Sequence, residues 1–246
     1  QLSVVDDLLD EADETVLVTL SLPTNVTLGG NLVHTYTILN NDAPPTVQFA
    51  LSSSSGAESS TPANLVVQLS TASGLPVTVG YSVTGGTATP VDDFTLLGGG
   101  TLTFDPGDIS KNVQLNIVDD LVDEPNQTVE VTLTSPTNAA LGLSAVHTYT
   151  ILDNDGPPTL AISDVTQAEG NSSTTSFTFT VTKTGATEFT AGVDFATANG
   201  MTFPATGSVA CGAGIDYQSQ TGTLTFLPAD PTKTVAVTVC GDILDE

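Results

Sequence analysis

The phrase "IVDDLVDE", residues 117–124, sets four carboxylates within eight positions, and nearly the same phrase stands at 4–11 ("VVDDLLDE") and at 238–246 ("TVCGDILDE"). Carboxylates this dense repel one another and resist ionisation unless a cation sits among them. Calcium takes about 6–8 oxygen ligands from carboxylates, carbonyls and water, so acidic turns brought together by a fold are what it requires. Residues 44–155 carry twelve acids, and nearly all fall where the sequence turns, among them Glu58, Asp93, Asp119, Asp120, Glu124, Asp153 and Asp155. Only Glu130 lies inside a clear strand. If the strands between these turns run up and down, the acids meet at one pole. Solvated turns are the plain alternative. The recurrence of the acids in register favours ion sites.

Other chemistries find less support. His34 and His147 occupy the same position 113 residues apart, on a strand face shared with Tyr and Ile, which reads as a core-edge residue rather than a general base. No nucleophile–base pairing, zinc-ligand spacing or phosphate-binding glycine loop is visible. Paired carboxylates serve glycosidases, but a sugar cleft needs aromatic platforms, and this chain has no tryptophan and is 5% aromatic. A glycan-active enzyme is the weaker reading, and no catalytic residue is expected. Cys211 and Cys240, in a Thr-, Ser- and Gly-rich sequence, point to an oxidising compartment and one disulfide. Spacing alone leaves a free, buried pair open. Asn25, Asn126 and Asn171 stand in N-x-[ST] triplets, permissive for glycosylation on a secreted surface.

Composition bounds the partners. In 246 residues, 39% hydrophobic, 28 acids oppose three lysines (Lys111, Lys183, Lys233), with no arginine and a formal charge of −25. That charge repels nucleic acid and anionic membranes, and makes cations the natural counterpart. No 18-residue apolar run is present, so membrane insertion is not expected. No signal peptide is visible, and the chain reads as mature, processed or a fragment.

The elements that must position the acids come in repeats. "LPTNVTLGGNLVHTYTILNNDAPPT" (22–46) returns as "SPTNAALGLSAVHTYTILDNDGPPT" (135–159), an offset of 113. "DDFTLLGGGTLTFDPGDISKNVQLNIVDD" (92–120) returns as "IDYQSQTGTLTFLPADPTKTVAVTVCGD" (215–242), at 122 or 123 after an insertion near 198–212. Three copies result: the C-terminal part of one at 1–43, a complete one at 44–155, and the N-terminal part of a third at 156–246. Apolar residues alternate with polar ones, as at Val113, Leu115 and Ile117, and Gly and Pro punctuate the runs. About seven short strands per unit predict tandem antiparallel β-sandwiches of immunoglobulin type. "NNDAPPT" and "DNDGPPT" are short, proline-stiffened linkers.

The ordered string "DDF…GGGTLTFDPGD…K…IVDDLVDE…ILDND" resembles the Calx-β repeat, as do "IDY…TGTLTF…K…GDILDE" and "VVDDLLDE…ILNND". The resemblance spans essentially the whole chain. It implies an all-β fold, with calcium ligands at the end of each sandwich that lies beside the next domain. In the middle copy it implies Glu58, Asp93, Asp119, Asp120, Glu124, Asp153 and Asp155; in the third, Glu169, Asp216, Asp242 and Glu246; in the first, Asp6, Asp7, Glu11 and Asp42. Asn40, Asn41 and Asn154 stand where acids would, and Gly241 stands where the other copies have Asp6 and Asp119. The middle copy is therefore the strongest site.

The expected function is an extracellular or cell-surface calcium-binding repeat protein, structural or adhesive. A fragment of a larger calcium-sensing surface receptor or adhesin is the alternative. Calcium is expected to stiffen the Pro157–Pro158 linker. Copy three lacks the two final strands that copy one carries, so residues 12–42 of one chain are expected to complete copy three of its neighbour, head to tail, as a filament. The competing reading is one longer repetitive polypeptide. Other surface proteins or glycans are further expected partners.

Overall fold

Alternation of Val, Leu, Ile and Phe with Thr, Asn and Gln gives each segment one apolar face, and the chain folds as β throughout. The computed structural model describes residues 2–243. Among them no helix is long and apolar enough to cross a membrane. The chain forms two compact units: residues 1–119 with 126–152, and residues 120–125 with 153–246.

The first unit opens with β1 (Glu14–Thr19) and β2 (Val33–Ile38), an antiparallel pair that forms a two-stranded sheet of its own. A sandwich follows. Strands β3 (Thr46–Phe49), β5 (Ala63–Leu69), β7 (Phe94–Leu96), β9 (Ser110–Ile117) and β12 (Ala140–Leu141) make one sheet, ordered β12-β3-β5-β9-β7. Strands β4 (Ser53–Ala57), β6 (Val77–Gly86), β8 (Thr101–Phe104), β11 (Gln127–Thr137) and β13 (Val146–Leu152) make the other, ordered β4-β13-β11-β6-β8. The inward residues of both form one core. Leu65 and Val67 of β5, Val113 and Leu115 of β9, Val129 and Val131 of β11 and Tyr149 and Ile151 of β13 are buried in it with Phe49, Phe94 and Phe104. Each such aromatic or aliphatic burial contributes about 1.5–3 kcal/mol.

Two edge pairings are parallel, where an antiparallel sandwich was expected: β12 with β3, and β13 with β4. The cause is that the entering chain divides between the sheets. It leaves β3 at Phe49 and reappears in the opposite sheet as β4, which covers that sheet's edge beside β13, while the short β12 covers the edge beside β3. In β11 the register against β6 shifts between Glu130 and Val131, beside Gly86. Gly86 has φ +117°, and a Cβ there would lie 2.1 Å from the Thr128 carbonyl oxygen, so the bulge requires glycine.

The second unit has β14 (Thr159–Ile162), β15 (Thr174–Thr184), β18 (Gly207–Ser208), β19 (Tyr217–Gln218) and β21 (Thr232–Cys240), in the order β14-β15-β21-β19-β18. A separate pair, β17 (Ala191–Ala196) with β20 (Thr221–Phe226), forms a second sheet. The two-residue strands β10 (Val122–Asp123) and β16 (Ala186–Thr187) pair in parallel. Val181, Tyr217, Phe226, Val235 and Val237 form its core.

Candidate metal centre

The first copy shows how the acidic phrase meets the end of the last strand. Past Ile38, the Asn40 side-chain amide donates to Asp10 Oδ1 at 3.0 Å, and that of Asn41 donates to Asp6 Oδ1 at 3.2 Å. The Asn40 backbone N–H donates to Asp13 Oδ1 at 3.0 Å. Neutral amide donors thus satisfy carboxylates where this repeat brings the two segments together. Asp7 closes its own turn by accepting the Leu9 N–H at 2.8 Å; Glu11 and Asp42 are half-buried.

In the middle copy, Asp153 replaces Asn40 and brings a carboxylate in place of an amide. Asp120 and Asp155, both in the second unit, present carboxylate oxygens within 4.8 Å of one another. Asp120 Oδ1 also accepts the Val122 N–H at 2.8 Å, and Asp153 Oδ1 accepts the Asp155 N–H at 3.4 Å, so both turns are shaped by the acids they carry. In the first unit, Glu58 is buried just past β4, its N–H on the Leu152 carbonyl at 3.1 Å. Asp93 turns its carboxylate onto the Thr89 N–H, while its carbonyl accepts the Val118 N–H at 2.9 Å and so anchors the start of the acidic loop. Asp119 is exposed and Glu124 half-buried.

In the third copy, Asp216 Oδ2 accepts the Thr206 N–H, and its carbonyl accepts the Cys240 N–H at 2.8 Å. The Glu169 carbonyl accepts the Thr175 hydroxyl. Asp242 is half-buried, and Glu246 lies outside the described residues. Cys211 and Cys240 form a disulfide with Cα atoms 5.7 Å apart, joining the loop before Asp216 to the end of β21. Asn25, Asn126 and Asn171 are exposed.

Two features escaped the sequence reading. Where it saw no nucleophile–base pairing, Ser54 Oγ lies 2.8 Å from His147 Nε2, and His147 Nδ1 lies 2.7 Å from the Leu51 carbonyl oxygen. The carbonyl can only accept, so in the neutral ring Nδ1 carries the hydrogen and Nε2 accepts from Ser54. These bonds satisfy a buried ring packed 5.3 Å from Phe49, as a core-edge histidine needs. The partners are 93 and 96 residues from His147, beyond any local signal.

The second feature is the third aspartate of the phrase. The Asp10 carbonyl accepts the Gly74 N–H at 2.9 Å and the Ser73 hydroxyl at 3.3 Å. The Asp123 carbonyl accepts the Glu188 N–H at 3.0 Å and the Thr187 hydroxyl at 3.1 Å, while Asp123 Oδ2 takes that hydroxyl at 2.8 Å. One repeat's acidic loop thus latches twice, in the same way, onto the turn that follows the next repeat's second long strand. A hydroxyl followed by a backbone N–H was the only local cue.

A model of the Calx-beta domain matches residues 40–155 and again residues 158–246. The chain belongs to the Calx-beta family. Calx-beta domains are binding and regulatory modules, and the family is one that binds calcium. The chain is similar to the crystal structure of CBD12 from CALX1.2, at 22% identity, covering 79% of this chain and 75% of that one with a TM-score of 0.42. It is similar also to the apo-form Calx CBD1 domain, at 24% identity, covering 46% of this chain and 99% of that one, again at 0.42. A two-domain protein from Bacteroides fragilis aligns at 7% identity, over 80% of this chain and 84% of that one, at 0.36. No curated protein matches the sequence.

The donors fit a hard divalent cation. Asp120 and Asp155 offer carboxylate oxygens, the ligand type calcium takes. Both cysteines are in the disulfide, so no thiolate competes for a softer metal. The lysines are placed elsewhere: Lys111 on Asp108 at 2.6 Å, Lys233 on Asp230 at 2.7 Å, and Lys183 on the Leu227 and Pro228 carbonyls.

Proposed function

We propose that this chain is a calcium-binding structural or adhesive module of an extracellular or cell-surface protein, with no catalytic role, whose copies join end to end. The convergence of Asp120 and Asp155 in a Calx-beta chain carries the reading. The calcium ligands we read for the middle repeat are Glu58, Asp93, Asp119, Asp120, Glu124, Asp153 and Asp155. Where the first repeat sets the Asn40 amide on Asp10, the middle repeat has Asp153, a carboxylate that adds to the negative charge a cation would balance. The disulfide supports an oxidising compartment. The adhesive role includes other surface proteins or glycans as ligands.

Calcium titration by calorimetry, with melting followed in calcium and in chelator, tests this. A ligand that binds only the folded state stabilises by about 2.7 kcal/mol at a hundredfold excess over Kd. The expected outcome is a melting temperature that rises with calcium, falls on chelation, and responds far less in Asp155→Asn. An unchanged melting temperature and no binding heat would remove the calcium reading.

A further inference from the structure

The turn after the second long strand of a repeat is built twice to one plan. Ser73 follows β5 and Thr187 follows β15, and both are buried, at 1% and 4% exposure. Each hydroxyl accepts the N–H two residues on, that of Leu75 in one turn and of Phe189 in the other, both at 3.0 Å. Each then has one hydrogen to give, since a hydroxyl donates once. Ser73 gives it to Asp10 and Thr187 gives it to Asp123, the third aspartate of the acidic phrase in the repeat before. In both places the paired segments run parallel: Asp10 bridges Ser73, while Val122 and Asp123 pair with Ala186 and Thr187. Residues 120–125 join β9 to β11, yet they belong to the second unit.

This latch reaches the carboxylate on which the calcium reading depends. Asp120 Oδ1 accepts the Val122 N–H at 2.8 Å, and Val122 is the residue that the short ladder pairs with Ala186. The equivalent Asp7 accepts the Leu9 N–H at 2.8 Å, so the path from hydroxyl to second aspartate is repeated in the first copy. Apolar burial does not hold the loop: Leu121 and its equivalent Leu8 are both 82% exposed. Polar contacts hold it instead. The two copies differ in one respect. The Asp10 carboxylate accepts from the Asn40 amide, whereas Asp153, in the place of Asn40, has no N–H to offer from its side chain. Asp123 Oδ2 takes the Thr187 hydroxyl at 2.8 Å instead, a bond strengthened by the charge of its acceptor.

We propose that Thr187 is a positioning residue for the calcium site of the repeat before it, as Ser73 is one repeat earlier, with Asp123 the anchor of the acidic loop and not a ligand. This deepens the calcium reading above and rests on it, adding residues that touch no ion. The hydroxyl fixes the third aspartate, the ladder fixes Val122, and the Val122 N–H fixes the Asp120 carboxylate. A loop held in shape before its ion arrives loses less freedom on binding, and that saving appears as affinity. A neutral hydroxyl does this without competing with calcium for the carboxylates, as a lysine ammonium in its place would.

Calcium calorimetry on the full chain and its Thr187→Val and Thr187→Ser variants tests this, together with amide hydrogen exchange in chelator. Valine keeps the shape of threonine without the hydroxyl, and serine keeps the hydroxyl. Thr187→Val is expected to weaken calcium binding about fivefold, an ordinary coupling within one network, and Thr187→Ser to stay within about twofold of the parent chain. In the Asp155→Asn background, Thr187→Val is expected to leave the residual calcium response unchanged, because both act on one site. In chelator, the Glu188 N–H, which donates to the Asp123 carbonyl at 3.0 Å, is expected to exchange about tenfold faster in Thr187→Val. An unchanged calcium affinity with a lower melting temperature would make the hydroxyl merely structural and overturn the positioning role. An equal loss of affinity in the Asp155→Asn background would place the effect at another site and overturn it too. No calcium uptake by the parent chain would remove the calcium reading and the positioning role together, whereas Glu188 protection in chelator reports on the latch alone.

Discussion

Tyr149 shows how one polar atom is fitted to a packed edge. Its ring is buried in the core beside Ile151, and a Cβ on Gly56, two residues along the adjacent strand from its partner Ser54, would fall 2.3 Å from its hydroxyl, so the glycine makes room for it. Burial raises the Tyr149 pKa above the ordinary phenol value. The folded state therefore holds the proton after the unfolded state has lost it. The resulting stability is full below the unfolded value of about 10 and is lost as pH rises through the folded one. Melting of the Tyr149→Phe variant is expected to fall less steeply above pH ~10 than that of the parent chain. Equal slopes would assign the alkaline transition elsewhere. Asp108 and Asp230 shift the other way, lowered by hydrogen bonds from Lys111 and Lys233. What they contribute is present above pH ~4, is lost in acid, and is small because both pairs are screened by solvent.

At the scale of elements, the second unit is held by a cross-link where the middle sandwich is held by packing. The disulfide closes a loop of 29 residues and ties residues 209–216 to the end of β21, next to the Asp216 carbonyl that accepts the Cys240 N–H. A loop of this length is worth about 3.6 kcal/mol, chiefly through the unfolded chain. Its reduction should lower the melting transition of the second unit by several degrees and leave that of the middle sandwich, whose core holds no cysteine, in place. Calorimetry with and without reductant reads this. A shift in both transitions, or in neither, would contradict it. The split of the entering segment into β3 and β4 belongs to this scale too, since it gives each sheet one parallel pairing and sets β4 at the edge of its sheet.

At the scale of the whole molecule, charge dominates. With 28 acids, three lysines and a formal charge of −25, self-repulsion opposes the compact state. Raising ionic strength from about 0.01 M to 0.15 M shortens the Debye length from about 30 Å to about 8 Å. Monovalent salt should therefore raise the melting temperature of the calcium-free chain steadily. Calcium should act at far lower concentration and saturate, because it engages a site rather than an atmosphere. A calcium response that tracks ionic strength alone would show that only screening is at work.

The alternation of Val113, Leu115 and Ile117, the 113-residue repeat and the turns at Gly and Pro determined by themselves an all-β chain of Calx-beta repeats, because a period of two and a repeated phrase are local properties. The acids could be read as a set for the same reason, each sitting beside a turn. Where each carboxylate points was decided only by the tertiary structure. Asp93 and Asp7 are turned onto their own backbone, Asp6 and Asp10 onto Asn41 and Asn40, while Asp120 and Asp155 converge. The parallel edge strands, the Ser54–His147 contact and the latch made by Asp10 and Asp123 were likewise hidden, since each joins residues dozens of positions apart. Strand pairing brings such partners within about 3 Å of one another, and sequence spacing does not encode that distance.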